Sequence, residues 1–369
     1  MKKLHQFFVL AVASLFLVVT SCQKEDVPPP QQSDILPARF SVDVTRSLNY
    51  NASTLKSAEV DTLPGNEIYG HLGTFICVGE TGSKIVEEVI NAIRVYNINK
   101  PMSFSFTSDE DGRVKNAVVV ARADYDNRHW EFGMTITDAE SEGNADGGKA
   151  LQLFWNRSPI KGIAIMKPYN INRTENEDDP DAMYRIDYSE AGEHGYRAEM
   201  TVYAAYLPVA DPLDNPWSMS SLKMFVGVKG DIVDVYGNSV HPNAILLAGN
   251  TGFTYSFVAS GDNSTDLGVA EVGLPPVNLD EPSRNILLGY YSLKKVITRE
   301  IYEVWPDIDP ESVQAYLYNA SAPGFFDANG FVAGGTAPGT GYEQLVRRLP
   351  YLSPYNPKEV LNLSIVFKD

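Results

Sequence analysis

The chain has 369 residues, with 30 Lys and Arg against 47 Asp and Glu, for a formal net charge of −17. A surface that acidic lacks the basic footprint nucleic acid and anionic headgroups need, which disfavours both as direct partners. At 44% hydrophobic and 21% charged, the chain is ordinary globular material with apolar residues enough for a core.

In chain order, Lys2 and Lys3 precede an apolar run from Phe7 to Val19, which is closed by Thr20, Ser21 and Cys22. The run is too short for a comfortable membrane span and ends in small residues, so residues 1–21 read as a secretion signal. Val19-Thr20-Ser21-Cys22 resembles the lipobox of bacterial lipoproteins, in which the Cys is acylated and becomes the new N-terminus. Lys24-Glu25-Asp26, directly behind it, resembles the acidic surface-export signal of Bacteroidota-type lipoproteins. The resemblance implies lipidation of Cys22 and a cell-envelope protein anchored in the outer membrane, facing the periplasm or the cell surface. Removing residues 1–21 leaves 348 residues with 28 basic and 47 acidic side chains, or −19. Membrane attachment must then come from acyl chains; two or three of them hold firmly at ~0.8 kcal/mol per buried methylene.

Residues 22–37 are rich in Pro, Gln and Ser and form the predicted disordered tether. With Cys22 lipidated, Cys77 is left alone; it sits in an apolar helical pattern and is expected to be a small buried hydrophobe. Residues 38–273 form the predicted antiparallel β domain. Phe40 to Val44 alternates and reads as a short strand. From about 67 to 96 the period becomes helical, with Ile68, Leu72, Phe75, Ile76, Val86, Val89, Ile90 and Ile93 on one face. Gly70, Gly73, Gly79 and Gly82 interrupt that face, so the expectation is one irregular helix or two, lying close to a sheet.

Between Met102 and Gly273, strand-length segments alternate with short turns such as Asp111-Gly112, Asp126-Asn127, Gly230-Asp231 and Asp262-Asn263, the signature of an antiparallel meander. Residues 274–369 read as a helical cover, a Gly/Pro loop and a final strand packed on the same domain. Ile286, Tyr290, Leu293, Ile297, Ile301 and Val304 form its main stripe, and Leu361, Leu363, Ile365 and Phe367 alternate at the end. The fold class is therefore mainly β with α, a meander curled into a half-barrel, barrel or sandwich and covered by two or three helices. Helices inside such a curve resemble lipoprotein-carrier and lipocalin-like half-barrels in architecture, and the whole chain resembles an uncharacterised lipoprotein family.

Chemistry is sparse. Thr81-Gly82-Ser83-Lys84 lacks the upstream Gly of a phosphate loop, and Ser292-Leu293-Lys294-Lys295 stands without companion motifs. His71, His129, His194 and His241 lack metal-ligand spacing, and no cofactor motif is present. Asp138, Glu140, Glu142 and Asp146, with Gly143, supply alternating carboxylates as a calcium loop does, but Lys149 stands where the bidentate Glu belongs, so a solvated acidic turn is the expected reading. The Trp and Tyr residues are assigned mainly to packing. A non-catalytic binding or scaffold lipoprotein is the expected function, with an apolar ligand, a glycan or a partner protein. The alternative is a hydrolase, glycan-directed, with an unidentified carboxylate pair.

Overall fold

The computed structural model describes residues 35–49, 65–211 and 218–369. The signal, Cys22, residues 23–34 of the tether and Trp217 lie outside the described residues. Thirteen strands follow in order: β1 (Met102–Thr107), β2 (Val114–Tyr125), β3 (Arg128–Asp138), β4 (Lys149–Arg157), β5 (Ile160–Met166), β6 (Met183–Ser189), β7 (Ala198–Ala205), β8 (Ser221–Lys229), β9 (Ile232–Ile245), β10 (Thr251–Asp262), β11 (Leu267–Gly273), β12 (Gly324–Asp327) and β13 (Gly330–Gly334). Each pairs with the next, antiparallel, in one sheet whose spatial order is its sequence order. The turns explain the tight joins. Between β2 and β3, Asp126 and Asn127 both take positive φ, the mirror-image turn whose twist matches a hairpin.

The sheet is open: among the described residues, β1 and β13 are each bonded on one side only. Laid flat it would be about 58 Å wide at ordinary strand spacing. Instead, one core cluster takes in buried side chains from β2 through β12, so the sheet curls and has a concave and a convex face. Along β8 the alternation is plain: Leu222, Met224, Val226 and Val228 enter that core, while Lys223 and Phe225 point the other way.

The concave face is filled by two segments crossing the strands. The first is 35–49. Ile35 donates its N–H to Ile98 O at 3.0 Å and accepts from Trp155 Nε1 at 2.7 Å. Phe40 stacks on Tyr188 of β6, Val42 N–H faces Met200 Sδ of β7, and Thr45 meets Gly261 of β10, where a Cβ would sit 2.5 Å from Thr45 Oγ1. Phe40 to Val44, expected as a strand, joins no ladder: Phe40 N–H and Ser41 Oγ donate to Glu87 instead. Ile35 and Leu36 are buried, so the body begins by residue 35 rather than 38.

The second is helix α1 (Gly65–Ile93), which lies against β6, β7, β8 and β13. It is one helix in spite of its glycines. Tyr69, Leu72, Phe75, Ile76, Val86, Ile90 and Ile93 are buried in the main core. At Gly82 an added Cβ would lie 2.9 Å from the Tyr184 ring, so the glycine sets how closely the helix can approach the sheet. Cys77 is half-buried rather than buried. Among the described residues no helix is long and apolar enough to cross a membrane.

The C-terminal third covers what remains. The single stripe expected from Ile286 to Val304 is broken at Ser292. A π-helical turn, Asn285–Tyr290, packs Leu287 and Leu288 into a cluster on the convex side, and α2 (Leu293–Val304) sends Leu293, Val296 and Ile301 into the main core. The buried face of α2 is thus rotated from the expected one. Ile297 is only partly buried and Val304 is exposed, whereas Glu300 turns inward to accept from Ala248 N–H at 2.8 Å and Asn250 Nδ2 at 2.7 Å. Helix α3 (Pro310–Tyr316) follows, capped by Asp309. Residues 324–334, expected as loop, supply β12 and β13.

The chain end then straps the convex face. Leu349 and Leu352 pack with Val258 of β10, Tyr355 bonds Asn238 of β9, Ser221 of β8 donates to Val360 O, and Lys368 N–H donates to Gln152 of β4. Leu363, Ile365 and Phe367 point inward, as the alternation requires, but no ladder forms because the strap runs across the strands.

The rotated face of α2 gives a test. Ile301→Ala deletes buried volume and is expected to cost ~2–5 kcal/mol in a denaturant melt, and Val304→Ala less than ~0.5 kcal/mol. Equal costs would return the helix to the stripe read from the sequence.

Candidate functional site

The acidic loop singled out in the sequence is an ionic knot. Asp138, at the end of β3, has no side-chain exposure and is held by Arg113 Nε at 2.8 Å, Arg173 Nε at 3.1 Å and Ser141 Oγ at 3.0 Å, with Lys115 Nζ at 3.9 Å. Glu140 pairs with Arg113 at 3.0 Å and Glu142 accepts from Asn116 Nδ2 at 2.8 Å. Asp146 lies apart from Asp138 in its bonding, held by Lys167 Nζ at 2.7 Å, Asn170 Nδ2 at 3.1 Å and Gly148 N–H at 2.9 Å. All four carboxylates therefore have donors from the protein. Burial alone would raise Asp138, but the bonds from Arg113, Ser141 and Arg173 and the charge of Lys115 outweigh it and hold its carboxyl below the ordinary range. Among the described residues, no group of three or more His, Cys, Asp or Glu is placed to hold a metal ion.

The second arrangement lies on the convex face and follows from register. Arg185 of β6 stands opposite Tyr203 of β7, which stands opposite Lys223 of β8, so cation, phenol and cation line up across three strands. The Arg185 guanidinium lies 5.9 Å from the Tyr125 ring centre and 5.6 Å from that of Tyr203. Asp187 grips it with bonds of 2.7 and 3.0 Å, and Asp126 adds one of 2.8 Å. Lys223 Nζ sits 5.4 Å from the Tyr203 ring centre and 3.9 Å from that of Tyr355 on the strap. Its ammonium is held by π faces, and burial lowers its pKa. The row continues through Tyr236, whose ring centre is 5.5 Å from Tyr355 and 4.7 Å from Phe225.

The strap is pinned beside this row. Asn238 accepts from Tyr355 N–H at 2.7 Å and donates to Tyr355 O at 3.2 Å and Ser256 Oγ at 2.8 Å. Further along, buried Asp234 takes both guanidinium arms of Arg348, and Tyr196 and Ser260 each donate to it at 2.8 Å. At the other end of β6 and β7, an open groove of about 610 Å³ is lined by Lys167, Asp178, Asp179, Asp181, Met183 and Tyr206. Burial and the neighbouring Asp178 raise Asp179 above the usual carboxylate range.

Sequence reasoning missed the row because Arg185, Tyr203, Lys223 and Tyr355 share no motif; strand parity placed the first three on one face, but only the register makes them neighbours. Trp130 and Trp155 are buried as packing residues, and Trp305 is half exposed. His71 and His241 both lie beside Phe75, at ring distances of 6.3 and 4.9 Å.

Because the folded Asp138 binds its proton less readily than an ordinary carboxyl, its contribution is complete above about pH 4 and is lost as pH falls through its depressed value. Asp138→Asn is expected to cost about 3 kcal/mol at neutral pH, because it strands buried charge, and to flatten the acid limb of a stability-against-pH curve. An unchanged acid limb would remove the knot from acid stability. No protein-family model matches the chain, and neither does any curated protein or solved structure.

Proposed function

We propose that this chain is a lipoprotein acylated at Cys22, tethered to the cell envelope, that binds rather than catalyses and meets its ligand on its outer surface. The observation that carries the reading is the filled concave face: α1 and residues 35–49 occupy the space a carrier offers to an apolar guest. A ligand is left with the outside, where the row Arg185–Tyr203–Lys223–Tyr355 is the best-built feature. Half-buried phenols offer flat apolar faces with polar rims, suited to stacking on a sugar ring. Lys223 makes no ion pair within 4.0 Å among the described residues and is positioned to take an anionic substituent. The ligand class this chemistry favours is a glycan bearing carboxylate or sulfate groups.

Two measurements test the reading separately. Cys22→Ser is expected to leave the protein unprocessed or to release it from the membrane fraction; an unaltered membrane fraction would sink the anchor. On an array of acidic and neutral oligosaccharides, the full chain should retain acidic ones, and Lys223→Gln should weaken binding about tenfold, a loss of ~1.4 kcal/mol. Retention of neutral sugars alone, or equal binding by the variant, would overturn the glycan assignment while leaving the anchor standing.

A further inference from the structure

The first strand of the sheet, β1, has a neighbour on one side only among the described residues. β1 reads Met102-Ser103-Phe104-Ser105-Phe106-Thr107, with no charge, proline or bulge within it. Edge strands of that kind are ordinarily blunted, because their free N–H and C=O groups are templates for another strand. Ser108 N–H bonds Arg113 O at 2.9 Å, which makes 108 and 113 a hydrogen-bonded pair. Counting back in register, Phe106, Phe104 and Met102 also face β2 with their backbone groups, and Ser103, Ser105 and Thr107 face outward. The bond from Ser105 Oγ to Asn116 Oδ1, 2.7 Å across the pair, fits the closer side-chain spacing of a pair that is not bonded through its backbone.

We propose that β1 pairs with β1 of a second copy of this chain, antiparallel about a two-fold axis through Ser105. That register sets Ser103 opposite the second copy's Thr107 and Ser105 opposite itself, so every outward-facing backbone group of the strand finds its counterpart. The hydroxyl side chains then line one face, where Ser and Thr pairs bond across strands. On the other face Phe104 meets Phe106 of the second copy, extending an aromatic cluster in which Tyr96 lies 4.7 Å from Phe104 and 5.9 Å from Phe106. Tyr96 and Val95 are exposed in the single chain, at 39% and 74%.

Charge is compatible with this pairing. Lys100 lies just before β1 and Glu110 in the turn just after it, so an antiparallel pair brings the Lys100 end of one strand to the Glu110 end of the other. Both are exposed, and neither forms an ion pair among the described residues. Pro101, an outward position without an N–H, ends the ladder at that point. An unrelated partner strand could use the backbone groups, but nothing would require it to match the Phe pair together with the opposite charges at the two strand ends.

The test uses the purified full chain in mild detergent. Sedimentation should show a concentration-dependent dimer. Ser105→Pro, which removes an outward N–H and leaves the ladder with β2 intact, should give a monomer with nearly unchanged melting temperature. Lys100→Glu and Glu110→Lys should each weaken the dimer about tenfold, and the double exchange should restore it. Ser105→Cys should form a disulfide-linked dimer on mild oxidation, since bonded partners lie ~5.5 Å apart at Cα. Ser103→Cys should not, because its counterpart is displaced four residues, roughly 13 Å. A monomer at every concentration, a dimer that survives Ser105→Pro, or equal crosslinking at 103 and 105 would each overturn the proposal. So would a chain that stays monomeric yet takes up an unrelated strand at this edge.

Discussion

Twist is the constraint on which the rest depends. Thirteen strands paired in sequence cannot stay flat, and the curl that follows creates an inner face too apolar to leave wet. α1 and residues 35–49 satisfy that face by crossing the strands in opposite directions. The N-terminal segment runs from Trp155 and Ile98 toward Gly261, and α1 returns from Tyr69, beside Phe326 and Phe331, toward Ile93. Once the inner face is occupied, a ligand has to be met elsewhere.

The outer face is finished differently. Two apolar clusters there, around Val258 and Phe325 and around Phe154 and Ile163, are closed by the C-terminal strap rather than by a second layer of sheet. What lies between the clusters is polar and ordered: Asp234 with Arg348, Asn238 with Tyr355, Lys223 with two phenols. A buried ion pair is weak evidence for stability, so the Asp234–Arg348 pair is better understood as fixing where the strap lies than as holding the fold together.

The meander was legible because its signals are local. Turn residues and two-residue periodicity announce an antiparallel meander between Met102 and Gly273, and β1 to β11 fall within those bounds. Failures came where a distant partner decides. β9 runs on past Tyr236 through Gly237, Asn238 and Pro242, residues that read as breakers, because β8 and β10 flank it. β12 and β13 hide in Gly/Ala/Pro-rich sequence until Phe325, Phe326 and Phe331 find the core. Residues 40–44 and 363–367 have strand periodicity without ladders, since alternation reports a buried side and says nothing about who accepts the N–H, and Leu361, expected in the last strand, instead closes a short helix, Pro357–Leu361. The site was less legible still. Asp138 and Asp146 stood out as carboxylates, but the cations that hold them come from as far as Arg113 and Arg173.

The sequential strand order also fixes a timetable for synthesis. Each strand meets its neighbour as soon as a hairpin is complete, so the sheet can grow along the emerging chain with little loop-closure cost. α1 and residues 35–49, however, are made before any strand exists, and they wait for β6 to β8 to bury their apolar side. The strap is made after every strand of the sheet, so the outer clusters stay bare until residues 345–367 arrive. A chain built in this order is most vulnerable before β6 to β8 are paired and again before the strap is laid, since α1 stays an unsheltered amphipathic helix while the sheet is made.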